Sequence, residues 1–214
     1  DEVIQLPEDY KPLWTNRNTP DYKNAIYYLK KRGISIFDII RYRIGYAESG
    51  PYSGKIIIPS YDSEGQLNYF VSRAFYEHDS YKHKNPKVSK DIIGFDMLIN
   101  WNEPIILCEG AFDAITIKRN AIPLFGKQIN PKLRIKIIEE GVKEIYICLD
   151  QDAIKNAKHI AKTFMTEGIT VHLVKLDKDD PNELGYKKIT EKIHDTYQFS
   201  FEELMQMEID SLWK

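Results

Sequence analysis

The chain has 214 residues, enough for one large domain or two small ones, and its 43% hydrophobic and 12% aromatic content can fill a core. A net charge of −2 excludes nucleic-acid binding by bulk basicity, so charge has to be read region by region. No apolar run approaches the roughly 18–20 residues of a membrane span, and DEVIQLPEDY lacks the basic and apolar parts of a signal peptide, so a cytoplasmic protein without a membrane partner is expected.

Residues 1–18 carry Pro7 and Pro12 without periodicity and read as an arm packed through Leu13 and Trp14. Thr19 is placed to cap a helix, with Pro20 at its first position, Asp21 in its first turn and Gly33 as its stop. Ser35 caps a short second helix ending near Gly45. KIIIP, the turn DSEG and QLNYFVSRAF form an antiparallel hairpin, with Gly65 supplying a turn conformation that most residues avoid.

From Pro104 strands and helices alternate: strands at 104–108, 121–125, 144–149 and 170–176, helices at 111–119, 131–140 and 153–167. Such alternation predicts a mainly parallel sheet flanked by helices, with Ile154, Ala157, Ile160, Ala161, Phe164 and Met165 as the apolar stripe of the last helix. The expected fold class is therefore α/β. A small α+β amino-terminal part (1–100) precedes a parallel-sheet domain (101–185) and a short helical end (186–214). In that end, FEELMQMEIDSLWK, Leu204, Leu212 and Trp213 either pack on the parent domain or form a docking face. Cys108 and Cys148 lie inside apolar strands without a partner at zinc-ligand spacing and read as core thiols.

The strand IYICL stops at Asp150 and Asp152, and PIILC stops at Glu109 followed by Gly110. In open parallel sheets ligands bind beyond the carboxyl ends of strands. If the two strands are neighbours, three carboxylates converge, an arrangement stable mainly around a cation, and an all-oxygen set favours Mg2+ or Mn2+. Gly110 removes a side chain where a ligand or backbone must come close. Asp113 is either a further site member or a first-turn acid answering the helix dipole. Asp180, in LDKDDPNELG, either faces the site or makes an Asp-Pro turn. Lys82, Lys84, Lys87 and Lys90 make an acid-free basic run between Tyr81 and Lys90, either a solvated loop or a phosphate contact.

ILCEGAFDAI, the Gly126 turn in PLFGKQ, ICLDQDA with KNAKHIAK, and DDPNEL resemble, in order and spacing, the TOPRIM fold shared by bacterial-type primases, topoisomerases and certain nucleases. YLKKRGIS, YRIGYA, the hairpin and YKHKNPKVSKDIIGFDML resemble the amino-terminal subdomain of the DnaG-type primase polymerase core, in a form more like a phage primase. The resemblance spans about residues 25–195. It implies an enzyme that copies single-stranded DNA into a short RNA primer from nucleoside triphosphates, with a replicative helicase as partner. Glu109, Asp150 and Asp152 fall on the family's metal-holding acids, with Asp113 and Asp180 as supporting ligands. Arg73 matches the hairpin arginine, and Lys82 and Asn85 match a lysine and an asparagine that handle nucleotide and template. Lys84, Lys87, Gly110, Gly126 and Lys127 join that set. His83 stands where an aromatic residue is usual, DAIKNA where members commonly carry a glycine, and Asn182 where primases often place an acid. Nothing matches the family's zinc-binding template reader, so no zinc is expected in these residues. A TOPRIM nuclease and a non-catalytic nucleic-acid or helicase-binding module are the rival readings.

Overall fold

The computed structural model describes residues 4–212 and divides into two compact units, Asp1–Leu98 and Ile99–Lys214. In the first unit, β1 (Tyr10–Pro12), β2 (Gly45–Ala47), β3 (Lys55–Tyr61) and β4 (Leu67–Ala74) form an antiparallel sheet in that order. Helix α1 (Pro20–Lys31) begins as expected: the Thr19 hydroxyl accepts the Tyr22 N–H at 3.3 Å, Pro20 opens the first turn, and Gly33 follows the end with φ 74°. Helix α2 (Ile36–Arg41) has a reciprocal cap, in which the Ser35 hydroxyl accepts from the Asp38 N–H and the Asp38 carboxylate accepts from the Ser35 N–H. The hairpin turn places Gly65 at φ 80°, and Asp62 Oδ1 accepts the N–H groups of Glu64 and Gln66.

Two local features differ from the sequence reading. Helix α2 ends at Arg41, and Gly45 opens a strand instead of closing a helix. The arm of residues 1–18 also contributes the edge strand β1. Helix α2 stops where Arg43 takes φ 52° and the Ile44 N–H returns to the Ile39 carbonyl at 2.9 Å, and the arm pairs at Gly45, where a β-carbon would lie 2.1 Å from the Tyr10 ring. Only glycine lets the arm come close enough to pair. Within the arm, Leu13 is fully buried while Trp14 is 42% exposed.

Glu48 fastens this edge. Its carboxylate accepts hydrogen bonds from the Lys11 ammonium, the Thr19 hydroxyl (2.6 Å) and the Tyr46 hydroxyl (2.6 Å), joining β1, the cap of α1 and β2. These donors, Lys11 foremost, hold its pKa down at about 2.

In the second unit, β5 (Ile105–Cys108), β6 (Ala121–Pro123), β7 (Glu144–Cys148) and β8 (Thr170–Leu173) form a wholly parallel sheet ordered β6-β5-β7-β8. Helices α3 (Ala111–Ile117), α4 (Pro131–Glu139) and α5 (Ile154–Thr166) make the crossovers, and α6 (Pro181–His194) and α7 (Phe201–Leu212) follow. Ala157, Ile160, Ala161 and Phe164 form the buried stripe of α5, whereas Ile154, at its first turn, is 45% exposed. Phe199 donates its N–H to the Val171 carbonyl at 2.7 Å, so the return segment pairs with the free edge of β8. Leu204 is 1% exposed, and α7 lies against α5, with Lys158 donating to the Met207 carbonyl and Lys162 paired to Glu208. Leu212 is exposed, and Trp213 lies outside the described residues. Cys108 and Cys148 are buried register partners on neighbouring strands.

Glu48→Gln should lower stability at pH 7 by about 1–2 kcal/mol, because charge-assisted hydrogen bonds are replaced by weaker ones. The wild-type carboxyl titrates below its ordinary value of 4.5, so its contribution is present above that pH and fades as pH falls toward 2. Urea denaturation at pH 7 and pH 3 should show the two proteins converging at the lower pH.

Candidate metal centre and basic segment

In the second unit the chain leaves β5 for β6 on one side and β7 for β8 on the other. The gap beyond the carboxyl ends of β5 and β7 is thus the topological switch point, where open α/β sheets bind ligands. Cys108 and Cys148 are in register, so Glu109, one residue on, and Asp150, two residues on, leave the sheet at neighbouring points, and Glu109 Oε1 accepts the Asp150 N–H at 3.1 Å. Glu109, Asp150 and Asp152 each offer an oxygen, all within 4.8 Å of one another. The first two are half-buried and Asp152 is exposed.

This is an electrostatically unfavourable grouping unless something positive joins it. Burial and the neighbouring Asp150 raise the pKa of Glu109, and burial, Asp180 and Asp152 raise that of Asp150. The Oδ1 of Asp150 is buried without a hydrogen-bond partner among the described residues. An unpaired buried acceptor beside two further carboxylates fits a hard cation, which takes oxygen ligands. One positive group is already at hand, since Lys127 in the loop after β6 pairs with Asp152.

Asp113 and Asp180 stand outside the converging oxygens, each with a local task. Asp113 accepts the Gly110 N–H at 3.0 Å at the start of α3. Burial first, then the charge of Asp180, raises its pKa to about 7, against the pull of the Gly110 and Asn182 N–H groups. Asp180 caps α6, accepting the Glu183 N–H at 2.7 Å while Glu183 accepts the Asp180 N–H. Asn182 is buried and donates its side-chain amide to the Thr116 hydroxyl at 2.9 Å, tying α6 to α3. A neutral residue there spares Asp113 another buried charge, a benefit invisible when Asn182 is read only as a missing acid. After Asp150 the chain makes a tight turn at Gln151–Ala153, closed by the Ala153 N–H to the Asp150 carbonyl at 2.9 Å, without needing a glycine.

Gly110 and Gly126 both have backbone reasons to lie here. A β-carbon on Gly110 would sit 3.2 Å from the Asp113 carboxylate, and the Gly126 N–H donates to the Glu109 carbonyl at 3.3 Å.

The basic segment belongs to the first unit, where residues 82–85 run along the outer edge of β4. The Ala74 N–H donates to the Lys82 carbonyl at 2.9 Å, the Ser72 hydroxyl to the Lys84 carbonyl, and the Ser72 N–H to Asn85 Oδ1 at 3.0 Å. Asn85 thus spends its acceptor on holding the segment. Lys84 donates to the Pro51 carbonyl at 2.8 Å and lies over the Tyr52 ring. Lys82 and Lys87 are exposed. Arg73 touches the His83 ring, whose pKa is lowered by burial and by Arg73, Arg32 and Lys82 around it. The residue that sequence reading missed is Lys55, only 4% exposed, whose ammonium donates to the Asp79 carboxylate and, at 2.9 Å, to the Tyr81 carbonyl. A lysine at the head of the apolar strand KIIIP is the available signal.

Residues 106–185 match the Toprim-like family model. The uncharacterized protein MG010 of Mycoplasma genitalium is 28% identical over 167 residues, covering 71% of this chain and 73% of that protein. Among solved structures, the Aquifex aeolicus primase (zinc-binding and RNA polymerase domains) matches with a TM-score of 0.73 at 21% identity, over 94% of this chain and 60% of that one. A DnaG primase catalytic domain bound to single-stranded DNA matches with a TM-score of 0.71 at 18% identity, over 85% of this chain and 76% of that one. The fold is that of DnaG-type primase catalytic cores, as the sequence resemblance implied.

Raised carboxyl pKa values stabilise the fold only below the ordinary carboxylate range, and that contribution is lost as pH rises through the raised values. In EDTA at pH 7.5, Asp150→Asn should therefore melt about 2–4 °C above the unmutated protein, the shift expected for ~1 kcal/mol in a chain of this size. Adding Mn2+ should raise the melting temperature of the unmutated protein and leave the variant unmoved in a calorimetric scan. Lys55→Met should free the basic segment from its anchor. Tryptic cleavage at Lys82, Lys84 and Lys87 should accelerate about tenfold or more as local opening becomes easier, while far-ultraviolet circular dichroism stays unchanged.

Proposed function

We propose that the chain is the RNA polymerase core of a DnaG-type primase, which copies single-stranded DNA into a short RNA primer. The observation that carries the reading is the convergence of Glu109, Asp150 and Asp152 around an unpaired Asp150 oxygen at the switch point of a Toprim-like domain. The primase-core fold supports it.

Glu109, Asp150 and Asp152 would hold Mg2+, with Mn2+ as a substitute. Bound there, the metal supplies Lewis-acid polarisation of hydroxyl and phosphoryl oxygens, the chemistry on which nucleotidyl transfer depends. Asp113 keeps the start of α3 in place behind Glu109, and Asp180 does the same for α6. Arg73, Lys82 and Lys87 attract the phosphates of template and nucleotide, while Lys84 and Asn85 shape the segment that presents them. No helix of the described residues is long and apolar enough to cross a membrane. We place the protein in the cytoplasm at the replication fork, with a replicative helicase as its partner on the strength of the resemblance.

Single-stranded DNA, a labelled ribonucleotide, the remaining nucleoside triphosphates and Mn2+ should yield short labelled RNA on a denaturing gel. Asp150→Ala should keep the circular dichroism of the unmutated protein and lose synthesis by at least about three orders of magnitude, since Lewis-acid assistance is worth several kcal/mol. Cut DNA without RNA would instead identify a nuclease. Intact DNA without RNA would leave the binding module.

A further inference from the structure

Lys127 lies in a loop fixed at both ends. On its near side the Leu124 N–H donates to the Cys108 carbonyl at 2.8 Å, and the Gly126 N–H donates to the Glu109 carbonyl at 3.3 Å. On its far side Asn130 caps α4 by accepting the Leu133 N–H at 2.8 Å. The loop is therefore stitched to the strand that bears Glu109, and the lysine between the stitches reaches across to Asp152 on the chain leaving β7. Its charge neighbours more than this one partner, since oxygens of Glu109, Asp150 and Asp152 all lie within 4.8 Å of one another.

The pair is weakly held, because both side chains are well exposed, 41% for Lys127 and 71% for Asp152. Exposed pairs contribute little to stability and exchange partners readily. A divalent cation drawn to the same carboxylates carries twice the charge of an ammonium and repels it. Once displaced, a long flexible lysine with its backbone held beside the centre is placed to meet an anion arriving with the metal.

We propose that Lys127 is the resident counter-ion of the acidic centre. It neutralises Asp152 while the centre lacks metal, yields that carboxylate to the incoming cation, and then turns its ammonium to the triphosphate. The inference rests on the reading of the acidic centre given above and adds to it an exchange of partners. The two roles predict opposite effects of removing the charge. Metal binding should tighten, since a competitor is gone, while use of the triphosphate should weaken. A lysine that only contacted nucleotide would leave metal affinity alone, and one that only supported the loop would move neither.

The test is a titration of Mn2+ into the whole chain, followed by the electron paramagnetic resonance signal of the free ion, without nucleotide, at low and high salt. Lys127→Met should bind Mn2+ about 3–10-fold more tightly than the unmutated protein at low salt, and the difference should shrink at high salt as the charge is screened. Lys127→Arg, which keeps the charge, should stay near the unmutated value. In the RNA synthesis assay Lys127→Met should raise the KM for nucleoside triphosphate more than it lowers kcat. Equal or weaker Mn2+ affinity in Lys127→Met would overturn the counter-ion role while leaving the primase reading standing. Tighter Mn2+ binding without RNA synthesis by any of the proteins would uphold the counter-ion role and sink the primase reading. No Mn2+ binding by either the unmutated protein or Lys127→Met would overturn both.

Discussion

The in-register parallel pairing of β5 with β7 is the constraint on which the candidate centre depends. Register partners Cys108 and Cys148 are the last residues of their strands, so acids that follow them emerge side by side whatever their mutual repulsion. Ladder hydrogen bonds, the full burial of β5 and the burial of Ile145, Ile147 and Cys148 in β7 outweigh the unfavourable electrostatics at their ends. The sheet thus keeps three carboxylates closer together than they would stay in solution, and that poise makes the site a receptor for positive charge.

The surrounding acids divide along a physical line. Carboxylates that find backbone N–H donors at helix starts, Asp113 and Asp180, have local tasks, and the charge of Asp180 also weighs on Asp150. Asp150 finds no donor for its inner oxygen. A buried acceptor left in that state is costly until a donor or a cation meets it. Asn182 follows the same logic from the other side: an amide can donate to Thr116 where another carboxylate would only add repulsion.

Much of this was legible in the residues. Helix starts at Thr19 and Ser35 are local chemistry, as is the positive φ of Gly65, and each appears where the side chains require it. The strand-helix alternation after Pro104 likewise specifies a parallel sheet, and acids at the ends of two apolar strands mark the centre. Contacts distant in sequence were not legible. Strand β1 exists because Gly45 admits Tyr10, and the ion pair of Lys127 with Asp152 needs the loop after β6 to be stitched beside Glu109. The apolar runs overshoot the strands at 121–125 and 170–176: the strands end at Pro123 and Leu173, the next N–H groups, of Leu124 and Val174, make a further bond each to the Cys108 and Ile147 carbonyls, and Leu176 stays buried beyond them. An apolar run reports burial, and the ladder ends sooner.

The buried anchor Lys55 also bears on how the basic segment meets an anion. A run of lysines in a free loop must give up chain entropy when a polyanion orders it. Here the ordering is already met within the folded unit, by the ammonium of Lys55 at one end and the edge pairing to Ser72 and Ala74 at the other. If phosphates dock on Lys82 as proposed, the docking amounts to exchanging counter-ions on a fixed template. Its thermodynamic signature is a steep salt dependence with little change in heat capacity, the reverse of coupled folding and binding.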